Sequence, residues 1–294
     1  MRAPLAKAVF EPETVEEAIN ILHEKGEDAA IIAGGTDLII SLREGVIQPA
    51  NIVDILKLPL NYIKGTGKKG IRIGATTTVK DISTSKLLKN ELPVLVDAGI
   101  HLGGPQTIAL ATIGGNICNA SPCANFTNVL VAFDAVVRMK GPEGDREMML
   151  KDFFRGPGMT ELKASEVLIE IEMPAISGVY GASYVKHTLR KEMDIAIVGA
   201  AAFIAPDVDK VAKIRIALGS VGATVLLAEN AQELLEGKAF SPHLAETAAK
   251  TAAEKDASYI DDVRASAAYR KKITQVAVKK AITEAWASAK GGKL

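Results

Sequence analysis

Two glycine pairs carry the residues best suited to chemistry in this chain. Ala111-Thr112-Ile113-Gly114-Gly115-Asn116-Ile117-Cys118-Asn119-Ala120-Ser121-Pro122 and Ile31-Ile32-Ala33-Gly34-Gly35-Thr36-Asp37-Leu38 each run from apolar residues into Gly-Gly and then into small polar side chains. Such a pair lets the backbone turn sharply and aim successive N–H groups at an anion with no Cβ in the way. A single pair makes an ordinary turn just as readily. A diphosphate, however, needs many donors and few bulky neighbours, so two loops of shared design could grip one from two sides.

The surrounding pattern supplies elements to hold these loops. Thr14-Val15-Glu16-Glu17 reads as a capping box, followed by an apolar stripe of Val15, Ala18, Ile19 and Leu22 that stops at Gly26. Ala29 to Ile32 is a short buried strand leading into the first loop, after which Thr36 or Asp37 caps a helix over Leu38 to Arg43. Asn51 to Ile55 reads as a parallel-type strand, so the order is that of a small α/β unit. Further on, Ile71 to Ile73 alternates as a strand, Thr77 or Thr78 opens a helix, and Leu92 to Leu102 forms another that ends at Gly103-Gly104. Beyond the central loop, Phe126 to Phe133 reads as helix, Ala135 to Met139 as strand, and Val167 to Met173 as a strand closed by Pro174. A boundary near Ala175 to Gly178 then introduces three strands, Ser183 to His187, Ala196 to Ile204 and Lys213 to Leu218, with a turn at Asp207 to Lys210. Three helices follow, around Ala231 to Leu235, Pro242 to Glu254 and Ala265 to Ala289, which makes this last part α+β.

Composition narrows the function. At 294 residues, with 48% hydrophobic and 24% charged residues, the chain suits two domains of ordinary size. Lys plus Arg and Asp plus Glu are both 35, which argues against a nucleic-acid partner. The longest apolar run, Ile195 to Ala205, falls short of the roughly 20 residues that span a bilayer. Met1 to Lys7 has no apolar signal core, so a cytoplasmic location is expected. Cys118 and Cys123 are too few for a structural zinc or an iron–sulfur cluster, and His23, His101, His187 and His243 are scattered; no metal site is expected. Gly65-Thr66-Gly67-Lys68-Lys69-Gly70 matches the dinucleotide G-x-G-x-x-G pattern, but a strand follows it where a helix is required, and it reads as a hairpin loop.

Taken together, Ile32 to Leu38, Ala111 to Asn116 with Ser121-Pro122, and Lys186 ahead of Arg190 and Asp194-Ile195-Ala196 resemble the FAD-binding (medium) subunit of the xanthine dehydrogenase and carbon monoxide dehydrogenase family, the molybdenum hydroxylases. The resemblance spans essentially the whole chain. It implies an α+β protein: a vanillyl-alcohol-oxidase-type FAD domain over residues 1–176, made of two α/β subdomains (about 1–57 and 58–176), and a C-terminal α+β domain over 177–294 with a three-stranded sheet and helices. It implies that FAD is held by Ile31, Ile32, Ala33, Gly34, Gly35, Thr36, Asp37 and Leu38 from the first loop. From the second it implies Thr112, Ile113, Gly114, Gly115, Asn116, Asn119 and Ser121. Leu102 would lie against the adenine, Leu168 would touch the isoalloxazine ring, and Lys186 would stand near the flavin. Asn125 replaces an aspartate suited to a ribose hydroxyl, and Gln106-Thr107-Ile108-Ala109-Leu110 replaces a more polar run.

The resemblance further implies a division of labour. A molybdenum-cofactor large subunit oxidises the substrate, a 2Fe–2S small subunit relays electrons, and FAD on this chain passes them to an external acceptor such as NAD⁺. The alternative is a self-sufficient FAD-dependent oxidase or dehydrogenase on the same scaffold. That would need its own substrate base, for which the sequence offers no candidate. A binding module without redox function would purify colourless.

Overall fold

The computed structural model describes residues 6–191 and 193–291. The segment Met1–Leu5, which belongs to the stretch read for signal character, lies outside the described residues. Three sheets follow one another along the chain, with two lone strands beside the second.

The first sheet is parallel, in the order β1 (Ala8–Phe10), β3 (Asn51–Asp54), β2 (Ala29–Ile32), with β3 paired to both neighbours. Helix α1 (Val15–Lys25) packs Ala18, Ile19 and Leu22 against Val53 of this sheet, Ile55 just beyond it and Val167 of the second sheet, so its apolar stripe joins two units. Thr14 caps α1 by accepting from the Glu17 N–H, but Glu17 reaches back to the Glu13 N–H instead of completing the expected box at Thr14. Helix α2 (Leu38–Glu44) starts at Asp37, whose side chain makes no cap bond.

The second sheet is wholly antiparallel, in the order β4 (Ile63–Thr66), β5 (Gly70–Gly74), β10 (Val167–Met173), β6 (Val136–Gly141), β7 (Gly144–Met149). The Gly65 to Gly70 stretch is the tip of the β4–β5 hairpin, with its turn at residues 67–69, as its context required. Between β5 and β6 the chain makes six helices: α3 (Val79–Thr84), α4 (Lys86–Glu91), α5 (Pro93–Ile100), α6 (Pro105–Leu110), α7 (Ile113–Cys118) and α8 (Asn125–Ala132). The expected helix over Leu92 to Leu102 is shorter, α5 starting at Pro93 and ending before His101. The lone pair β8 (Phe154–Gly156) and β9 (Met159–Thr160) precedes β10.

The third sheet has four strands, not three: β11 (Gly181–His187), β12 (Val198–Asp207), β13 (Lys210–Gly219) and a short β14 (Leu226–Leu227) that pairs with β13 through Ala217 and Leu218. Two residues leave too short a pattern for periodicity to register. Helices α9 (Glu229–Leu235), α10 (Pro242–Thr251) and α11 (Ala267–Ala289) cover one face, and a π-helical turn, Ala252–Asp256, extends α10. Small residues bring α11 close: a Cβ on Gly181 would stand 2.1 Å from the Ala285 carbonyl oxygen. The unbroken apolar run that includes β12 is a strand buried on both faces, by the helices on one side and by the core of the second unit, through Ala201 and Phe203, on the other.

Candidate functional site

The first glycine pair meets the backbone just ahead of the second. A Cβ on Gly34 would stand 1.9 Å from the Leu110 carbonyl oxygen and 3.1 Å from the Ala111 Cα, so only glycine lets the first unit approach the second here. Gly35 is left-handed, with φ +69°, and Ile32 and Ile39 pack beside it.

The two segments differ in what they offer. Among the described residues, the N–H groups of Gly34, Gly35, Thr36 and Asp37 donate to no protein acceptor, leaving a run of unengaged donors after β2. Asp37 is exposed overall, yet neighbouring protein atoms crowd its carboxyl and raise its pKa, against the pull of the Thr36 hydroxyl 3.5 Å away.

The second pair is not a loop. Thr112 accepts from the Gly115 N–H at 3.1 Å and so caps α7, while the Gly114 N–H donates to the Ala75 carbonyl at 2.9 Å. Both amides that the sequence reading aimed at an anion are therefore engaged. The segment is held by an antiparallel bridge between Thr78 and Thr112, with Val79 N–H on Ala111 C=O and Ile113 N–H on Thr77 C=O. Gly114 is buried, and its Cβ would fall 2.6 Å from the Ala75 oxygen. Gly115 is exposed, and its Cβ would meet only the Thr112 hydroxyl, at 3.0 Å, so it presents an open face.

Two polar atoms nearby are unsatisfied. Asn116 Oδ1 is buried without a partner, and so is Thr76 Oγ1, one residue from the Ala75 contact. Thr76 was not singled out in the sequence; its only signal is its place in Thr76-Thr77-Thr78 before α3.

The remaining expected residues scatter around this junction. Leu102 is half-buried against the core of the second unit, and Leu168 lies within it at 3% exposure. Ser121 accepts from the Cys123 N–H, and Asn119 is exposed at the end of α7. Asn125 is buried, donating to the Ala98 carbonyl at 3.1 Å and accepting from Tyr184 Oη at 3.4 Å, so its amide already ties the second unit to the third. Lys186 donates to the His101 carbonyl at 2.8 Å. Burial lowers its pKa, and the Asp194 charge opposes that shift. Desolvation pushes the Cys118 thiol up to about 12.

Comparison with known proteins places this arrangement in a family. Residues 5–176 match the FAD-binding domain in molybdopterin dehydrogenases, and residues 183–285 match the C-terminal domain of the CO dehydrogenase flavoprotein. The chain belongs to the FAD-binding subunits of the molybdopterin dehydrogenases. It is 34% identical to the carbon monoxide dehydrogenase medium chain of Hydrogenophaga pseudoflava, over 94% of this chain and 96% of that one. It is 31% identical to a putative xanthine dehydrogenase FAD-binding subunit of Escherichia coli, over 96% of each. A solved structure of CO dehydrogenase from Hydrogenophaga pseudoflava superposes with a TM-score of 0.93 at 33% identity, covering 97% of this chain and 99% of that one. Quinoline 2-oxidoreductase from Pseudomonas putida 86 superposes at 0.90 with 27% identity, covering 99% of each chain.

Like its family, this oxidoreductase subunit has FAD as its cofactor, and the residues present fit that group. Unengaged amides at Gly34 to Asp37 suit a diphosphate, and the orphaned Asn116 oxygen suits a hydroxyl donor. The open face of Gly115 leaves room for both. Among the described residues, no helix is long and apolar enough to cross a membrane.

Proposed function

We propose that this chain is the electron-transfer flavoprotein subunit of a cytoplasmic molybdenum hydroxylase, with FAD seated where the first two units meet. The division into residues 1–176 for the flavin and 177–294 for the C-terminal domain belongs to the same reading. Bound FAD would take electrons from the 2Fe–2S clusters of a small subunit, reduced in turn by a molybdenum-cofactor large subunit, and pass them to an external acceptor such as NAD⁺. The names of the relatives support this: one is a medium chain and others are FAD-binding subunits.

The observation that carries the site is the run of unengaged N–H groups from Gly34 to Asp37. These donors would take the diphosphate, with Ala33 and Leu38 closing the ends of the segment. Asn116, Asn119 and Ser121 would serve the hydroxyl-bearing chain, and Thr76 would join them. The engaged amides of Gly114 and Gly115 give that pair a different part, in which Gly114 docks α7 and Gly115 leaves space. Lys186, on the third unit, would hold a positive charge toward the ring and favour electron uptake.

The test is copurification combined with reduction. The tagged chain should bring down a large and a small subunit and carry bound flavin. The complex should lose its visible flavin bands when supplied with substrate, whereas the isolated chain should keep them. Bleaching of the isolated chain by a small substrate would instead establish the self-sufficient oxidase.

A further inference from the structure

Glu170, on β10, is almost wholly buried, at 1% exposure, although it lies on the charged outer face of the second sheet. Its neighbours there, Arg72, Arg138 and Glu172, each keep a quarter or more of the side chain in solvent. Glu170 accepts from Tyr62 Oη at 2.7 Å and from Arg72 Nε at 2.6 Å, and Arg138 Nε stands 3.8 Å away. Burial, and then this acceptor, raise the Tyr62 pKa and keep its hydroxyl a donor.

β10 loses its alternation beside this residue. Its pairing with β6 slips between Leu168 and Glu170, which makes Ile169 the extra residue of a bulge. Residues two apart on a regular strand share a face. Here Leu168 instead joins Ile171 and Met173 in the core of the second unit, while Glu170 turns to the opposite face. Without the bulge, either the carboxyl group would enter the core or Leu168 would leave it.

The bulge also carries part of the site on its back. The Ile169 carbonyl accepts from the Ala75 N–H at 2.9 Å, and the Ala75 carbonyl accepts from the Gly114 N–H at 2.9 Å. Two residues on, the Thr77 hydroxyl accepts from the Tyr62 N–H at 3.1 Å and donates to the Tyr62 carbonyl at 3.0 Å, while the Thr77 carbonyl accepts from the Ile113 N–H at 3.0 Å. Residues 75–77 thus hang the start of α7 on the bulge at one end and on Tyr62 at the other. The hydrogen bond from Tyr62 to Glu170 closes that ring, and Thr76, with its buried unpartnered hydroxyl, sits in the middle.

We propose that Glu170, braced by Tyr62, is a positioning residue of the flavin site: it fixes the β10 bulge and so sets both Leu168 and the start of α7. Neither side chain belongs to the residues given to FAD, and both would act through them from the far side of the sheet. The proposal rests on the flavin reading. A second buried pair supplies the contrast: Arg146 meets Glu166 at 2.7 Å and donates to the Glu161 carbonyl, and Glu166 accepts from the Lys163 N–H. None of these bonds reaches residues 75–77 or the bulge.

The test compares Glu170→Gln, Tyr62→Phe and Arg146→Gln in the full-length chain with its copurifying subunits. In Glu170→Gln the amide sets a donor against one of the two donors that now meet there. FAD affinity after flavin removal, the visible circular dichroism of the bound flavin and the urea midpoint would be measured in each. Glu170→Gln and Tyr62→Phe should weaken FAD about tenfold and change the flavin dichroism. Arg146→Gln should lower the urea midpoint and leave affinity and dichroism as in the parent. Should Glu170→Gln fail to fold, Tyr62→Phe, which loses a single oxygen atom, decides alone. Parent affinity and dichroism in Tyr62→Phe would overturn the proposal, as would equal losses in Arg146→Gln, which would make the effect one of general stability. A parent protein that binds no FAD would remove the flavin reading and this proposal with it, whereas unchanged variants of a flavin-binding parent would remove this proposal alone.

Discussion

At the scale of single residues, Gly114 and Gly115 are adjacent glycines with opposite tasks. A methyl group at Gly114 would collide with the backbone of Ala75, a neighbour that cannot swing aside, whereas one at Gly115 faces open space apart from the Thr112 hydroxyl. Gly114→Ala should therefore cost about 1–3 kcal/mol in urea denaturation. Gly115→Val should leave the unfolding midpoint within about 1 kcal/mol of the parent and lose the visible flavin spectrum. A Gly115→Val protein that keeps its full flavin complement would remove this residue from the site. The sequence could show that both positions tolerate close approach, but not from which side. Gly-Gly looks the same whether a ligand or the chain's own backbone comes near. The engaged amides of α7 were illegible for a related reason: Thr112 reads as one more polar residue until the bridge to Thr78 sets it as a cap.

Among the elements, α8 does the most to join the second unit to the third, and all eight of its residues are buried. Its Asn128 side chain lies on a window made by Gly199 and Gly219, a directly opposed pair on β12 and β13. A Cβ at Gly219 would stand 2.4 Å from Asn128 Oδ1, and one at Gly199 2.5 Å from its Nδ2. Gly219→Ala should thus destabilise the protein by about 1–3 kcal/mol, and Asn128→Ala in the same chain should recover part of that loss. Strictly additive effects in urea denaturation would show that the contact carries no energy. Strong local patterns made much of this fold legible: the stripe of α1, the continuous apolar run of β12, and the proline that closes β10 all appear as expected. Features that depend on a distant partner did not, including the fourth strand and the glycine window. Nor did the partners of Asn125, whose amide serves Ala98 and Tyr184 in the fold.

For the molecule as a whole, acid should weaken the third unit through one carboxylate. Desolvation tends to raise the Asp262 pKa, but the hydrogen bond from Arg270 and those from the Arg264 and Ala265 N–H groups outweigh it and hold the carboxyl at about 2. Arg270 in turn donates to the carbonyls of Ile197 and Ser220, so this carboxylate anchors the start of α11 to the ends of β12 and β13. A carboxyl depressed in the folded state contributes stability that is present above its ordinary pKa and lost as pH falls through its folded value. Urea midpoints should fall between about pH 4 and pH 2, and Asp262→Asn should flatten that dependence while lowering stability near neutrality. An unchanged slope in the variant would assign the acid sensitivity to other groups.

The contact between Gly34 and the carbonyl of Leu110 also sets an order of events during biosynthesis. The donors from Gly34 to Asp37 leave the ribosome early, while the wall they lean on is made much later and Lys186 later still. A nascent chain holding only the first unit has these amides without the wall beside them, so on the proposed reading flavin capture should await the later segments.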